Sequence, residues 1–138
     1  MSEKLELRIA RRISRSRRDV FLRADFGDLG GYDQVGRTLG KLVRQGKLLR
    51  ISHGLYSRAV KSRINDRLIP PKGLSTLRAG LERLGIETLP GKAVQDYNAG
   101  RTTQVPTGRV VAVRRRVRRK IGYNGFFLTF ERDGFSTR

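Results

Sequence analysis

The residues best equipped for chemistry are guanidinium, ammonium and amide groups, and they fall in three places. Tyr32, Gln34, Arg37, Thr38, Lys41 and Arg44 lie on one stretch at helical spacing. Amides and guanidinium forks are the side chains that read adenine and guanine edges bidentately, so this set suits base readout. Arg50, Ser52, His53 and Arg58 surround a His-Gly turn and suit phosphate contact. Arg114, Arg116, Arg118 and Lys120 alternate along the chain and, on a strand, would make one polyanion-binding face. All three sets point to an anionic polymer.

Other chemistry finds little support. The absence of cysteine rules out disulfides and thiolate ligands, and a single histidine rules out a multi-His zinc site. Asp25, Asp28 and Asp33 could be imagined as a nuclease metal cluster but are better explained as helix-start residues. Asp25-Phe26-Gly27 matches a kinase metal-binding tripeptide without the glycine loop or catalytic loop that would give it meaning. His53 has nothing to orient it as a general base. No enzyme, metal or cofactor is expected.

Composition agrees. Thirty-one Lys and Arg against 12 Asp and Glu give a formal charge of +19 over 138 residues. Such a balance implies a polyanionic partner, nucleic acid first. The N-terminus lacks an apolar leader, and no run is long enough to cross a bilayer, so a cytoplasmic location is expected.

The elements that must position these residues can be read in order. Leu5, Ile9 and Ile13 form the stripe of an amphipathic helix over 4–15. Val20-Phe21-Leu22 reads as a strand, and 25–29 as a short helix broken by Gly30-Gly31 through left-handed backbone. Val35, Leu39, Leu42 and Val43 define a helix over 32–45, with Asp33 as its cap and Gly46 as its stop. Two β-rich runs then meet at His53-Gly54, a tight hairpin. This is the order of a winged helix-turn-helix, whose third helix enters the major groove while the hairpin wing follows the backbone or minor groove.

Residues 20–37 (VFLRADFGDLGGYDQVGR), 50–58 (RISHGLYSR) and 97–108 (YNAGRTTQVPTG) together resemble the AbiEi-type antitoxin family. The resemblance implies a bacterial winged-helix repressor of its own promoter, encoded beside a nucleotidyltransferase-like toxin.

The expected fold is α+β. It comprises a winged helix-turn-helix at 1–60, a linker at 61–73 and a small α+β region at 74–138. In the last region, helices over 74–84 and 91–98 precede a polar surface loop at 101–108. Asn124-Gly125 signals an antiparallel hairpin pairing Tyr123 with Phe126, Ile121 with Leu128, Arg119 with Phe130 and Val117 with Arg132. The aromatics of this hairpin read as core, with Phe127 the one candidate for stacking on a base. The expected function is a DNA-binding repressor and antitoxin. An RNA-binding or ribosome-associated protein and a module that binds a toxin directly are the alternatives. Expected partners are promoter DNA and a cognate toxin, with no membrane and with a homodimer left open.

Overall fold

The computed structural model describes residues 4–132. Residues 1–3, the start of the first expected region, and residues 133–138, the end of the third, lie outside the described residues. The fold is α+β. Its first half runs α1 (Leu5–Arg15), β1 (Val20–Leu22), a 3-10 turn (Arg23–Phe26), α2 (Tyr32–Arg44), β2 (Leu48–Ser52) and β3 (Leu55–Arg58). The second half runs β4 (Val60–Lys61), β5 (Leu68–Ile69), α3 (Leu74–Arg83), β6 (Thr88–Leu89), α4 (Lys92–Asn98), β7 (Val110–Val113), β8 (Gly122–Tyr123), β9 (Phe126–Phe127) and β10 (Thr129–Arg132).

The sheet β1-β3-β2 is antiparallel and organises both halves. Its side chains alternate between two cores, as the pleat requires. Phe21, Leu48 and Tyr56 join Ile9 of α1, Phe26, and Val35, Leu39 and Leu42 of α2. Val20, Ile51 and Leu55 join Leu77 and Leu81 of α3 with Val111, Val113, Ile121 and Leu128. Gly80 allows α3 this approach, since a Cβ there would stand 2.8 Å from Leu55 Cδ2.

The helices obey their apolar spacing, but several local details differ from expectation. The short helix forms at 23–26 rather than 25–29, because the Asp25 carboxylate accepts the Leu22 N–H at 2.9 Å and closes the turn earlier. Neither Gly30 nor Gly31 adopts positive φ. Gly30 instead supplies space, since a Cβ there would meet Leu5 Cδ2 at 3.1 Å. Asp33 does not cap α2. The Gln34 side-chain oxygen accepts the Gly31 N–H at 3.3 Å, while Asp33 lies 3.8 Å from Arg23. Gly46 and Gly54 do take left-handed φ, at 77° and 71°, ending α2 and turning the hairpin.

Two parts of the second half depart further. Residues 61–73, expected as a linker, hold most of a hairpin in which Val60 pairs with Ile69 and Lys61 with Leu68. The C-terminal hairpin is short. Tyr123 pairs with Phe126, and the Leu128 N–H donates to the Ile121 carbonyl at 2.9 Å. Arg119 does not pair with Phe130, nor Val117 with Arg132. β10 turns away and runs parallel to β7, with Thr129 opposite Val110 and Arg132 opposite Val113. β6 covers the other edge of β7, giving the order β10-β7-β6. Val111, Ala112 and Val113 are buried in succession, the mark of a central strand rather than of one side of a hairpin. Six of the seven residues at 114–120 are cationic and cannot follow them inward.

Candidate nucleic-acid interface

Burying Val35, Leu39 and Leu42 fixes which side of α2 faces water. Arg37 and Arg44, seven residues apart, sit on the outermost ridge. Both are exposed, and neither has a hydrogen bond or ion pair among the described residues. The other expected readers are more constrained. Gln34 caps the helix, and the Thr38 hydroxyl donates back to the Gln34 carbonyl at 2.9 Å. Lys41 pairs with Glu6 of α1 at 2.8 Å, and its hydrogen bond holds the Glu6 carboxyl below its ordinary pKa. Tyr32 is exposed beneath Arg23.

At the β2–β3 hairpin, Arg50 and His53 are exposed and adjacent, with Arg50 Nη2 3.0 Å from His53 Nδ1. Ser52 is buried and presents no side chain to a partner on this face. Arg58 is turned inward, a correction to its expected phosphate role. Its guanidinium donates to the carbonyls of Ile13, Ser16 and Arg18 at 2.6–2.9 Å and lies 3.4 Å from Asp19. It ties the end of α1 to β3.

Between α2 and the β2–β3 hairpin lies a cleft of about 330 Å³, lined by Arg23, Gly36, Gly40, Arg44, Arg50 and His53 among others. Gly36 and Gly40, one turn apart, keep its helical wall low. Arg23 fills part of the opening, its guanidinium lying where a Cβ on Gly36 would be. Sequence reasoning missed Arg23. The paired glycines on the flank of a regular helix were the signal that something bulky rests there.

The cations of 114–120 do not form a strand face. They belong to an irregular exposed segment after β7. Arg114 lies 3.5 Å from Glu87, and Lys120 Nζ sits 5.7 Å from the Phe127 ring. Arg116 and Arg118 point to no partner among the described residues. Arg119 reaches back to the β2–β3 hairpin, donating to the His53 carbonyl at 2.8 Å and lying 3.4 Å from Ser52 Oγ. The cationic segment and the tip of the β2–β3 hairpin are therefore neighbours.

A further cationic surface, absent from the expected sites, lines α1 with Arg8, Arg11, Arg12 and Arg15. Part of it is structural. Arg12 grips Asp28 at 2.5 and 2.7 Å and donates to the Asp25 carbonyl at 2.9 Å. Those bonds lower the Asp28 pKa to about 2. Among the described residues, no three His, Cys, Asp or Glu side chains are grouped to hold a metal. No described helix is long and apolar enough to cross a membrane.

Neither a curated protein nor a solved structure matches this chain. A family of unknown function, DUF6088, matches residues 8–132, nearly the whole sequence, and the chain belongs to that family.

Proposed function

We propose that this protein is a sequence-specific DNA-binding repressor that uses α2 in the major groove and the β2–β3 hairpin as a wing. The observation that carries the reading is the pair Arg37 and Arg44, exposed and unengaged on the outer ridge of α2, with Arg44 beside Arg50 and His53 of the β2–β3 hairpin. Free guanidinium forks on a helix ridge suit guanine edges, and exposed cations on a hairpin suit phosphate. The net charge of +19 supplies the long-range attraction any duplex binder needs.

The resemblance to AbiEi-type antitoxins extends the proposal. The duplex is the protein's own promoter, the protein is cytoplasmic, and a nucleotidyltransferase-like toxin is its cognate partner. No catalytic step is assigned to the chain. RNA of equal length serves as the competitor that separates this reading from an RNA-binding one.

The test is Arg37→Ala, measured on the duplex upstream of the protein's own gene and on a scrambled duplex. The expected loss is about 1–3 kcal/mol on the cognate duplex, with specificity relaxed at one base pair. Equal losses on both duplexes would reject base readout by this residue.

A further inference from the structure

A second concave surface, larger than the cleft between α2 and the β2–β3 hairpin, lies on the other side of Arg119. Residues 85–87 and 114–119 enclose a groove of about 720 Å³, within the range of small-molecule sites. Five of its lining residues are arginines, and Glu87 is its one acid. Arg115, Arg116 and Arg118 have no partner among the described residues. Ile86 and Val117 give the groove apolar surface, and both pack against the second core. Crowded guanidiniums repel one another unless an anion sits among them. A duplex is convex and has no use for apolar surface inside a groove. A compact ligand with several phosphates and a flat body matches both the charge and the apolar lining.

Arg119 gives this groove a second property. It lines the groove and also holds the wing tip through the His53 carbonyl and Ser52. A guanidinium has five N–H donors in one rigid plane, so a phosphate drawing Arg119 into the groove turns it away from the hairpin.

We propose that the groove between residues 85–87 and 114–119 binds a nucleoside polyphosphate, and that its occupancy loosens the wing through Arg119. The base lies against Ile86 and Val117, and Arg115, Arg116 and Arg118 take the phosphates. Coupling is reciprocal: a nucleotide that lowers duplex affinity is itself bound less well when duplex is present. The coupling rests on the duplex-binding reading above, whereas the ligand site does not.

The experiment uses the full chain, with ATP and GTP as probes and inorganic tripolyphosphate and a ten-nucleotide oligothymidine as comparisons. Calorimetry should show at least one nucleotide binding about tenfold more tightly than tripolyphosphate. Arg116→Gln with Arg118→Gln should abolish that binding at an unchanged melting temperature. Equal binding of tripolyphosphate, tighter binding of the oligothymidine, or indifference to the double substitution would each overturn the ligand site. Saturating nucleotide should then weaken duplex binding by the wild type and not by Arg119→Gln. If the wild type binds duplex unchanged by nucleotide, the coupling is wrong. If it binds no duplex at all, the reading of function fails with the coupling, and the ligand site stands or falls on the calorimetry.

Discussion

The guanidinium of Arg23 stacks 3.6 Å from the centre of the Tyr32 ring while its Nε and Nη2 donate to the Tyr32 carbonyl at 3.0 and 2.7 Å. This arrangement locks the 3-10 turn to the first turn of α2 and brings a planar cation beside the cleft. It exists because position 36 has no side chain, since a Cβ there would fall 2.2 Å from Arg23 Nη2.

Gly36→Ala should therefore expel Arg23 without unfolding the protein, because the displaced group is the end of a flexible side chain. Alanine gains about 1 kcal/mol over glycine inside a helix. That offsets hydrogen bonds and a cation–π contact of similar size at an exposed site. Melting temperature should stay nearly constant while the near-ultraviolet signal of tyrosine changes. A large fall in melting temperature would show that Arg23 cannot move aside.

Gly122→Ala should behave in the opposite way. Its Cβ would lie 2.1 Å from the Phe126 carbonyl oxygen and 2.7 Å from Phe127 Cα, both backbone atoms. The β8–β9 hairpin must open, with an expected cost of about 1–3 kcal/mol in denaturant unfolding. A cost below a few tenths of a kcal/mol would contradict this packing.

The β2–β3 hairpin holds two arginines in different settings, Arg50 exposed and Arg58 bonded to backbone carbonyls. Arg50→Ala should leave stability unchanged and reduce the salt dependence of duplex binding by roughly one phosphate contact. Arg58→Ala should do the reverse, destabilising by about 1–3 kcal/mol as three carbonyls lose a charged donor. Denaturation and salt titration of both variants decide the matter, and a changed salt slope for Arg58→Ala would refute its structural assignment.

Asp25 joins the two halves, accepting from Leu22 N–H and from Arg83 of α3. Both ionic side chains are about one-quarter exposed, which tempers the pair's worth. Asp25→Ala should cost more than Arg83→Met, by about 1 kcal/mol or more. The first strands a largely buried guanidinium whose Nε already lacks a partner. Denaturant melts of the two variants check the order.

Acid stability follows from Asp28. Arg12 lowers its folded pKa to about 2, from an ordinary 3.8. The folded carboxylate holds its proton more weakly than the unfolded one, so the contribution is complete above pH 3.8 and disappears as pH falls through 2. Asp28→Asn should flatten the stability profile in that window and leave its shape at neutral pH unchanged. An unchanged acid profile would show that the Arg12 contact contributes nothing.

The first half was legible because its information is local. Helical stripes such as Val35, Leu39 and Leu42, and turn residues such as Gly46 and Gly54, act within a few positions of themselves. The second half depends on pairing over distance. Asn124-Gly125 correctly marked a turn, but nothing near it announces that β10 leaves for β7. Val111, Ala112 and Val113 are equally buried, a pattern set by the strands that pair on either side of β7 rather than by neighbours in sequence. At the candidate interface, Arg37, Arg44, Arg50 and His53 were readable as exposed side chains. Arg58, Arg23 and Arg119 were not, because a long side chain finds its partner in three dimensions.

The small sheet clad on both faces carries a consequence for engineering and for recombination. A hybrid joining residues 4–60 to an unrelated second half would leave Val20, Ile51 and Leu55 facing water. Each forfeits about 1.5–3 kcal/mol of burial, and together they rival the whole margin of a small protein. The segment bearing α2 and the hairpin is thus not a cassette to be moved between proteins. Any replacement must bring its own helix with a glycine-sized gap where Gly80 now meets Leu55.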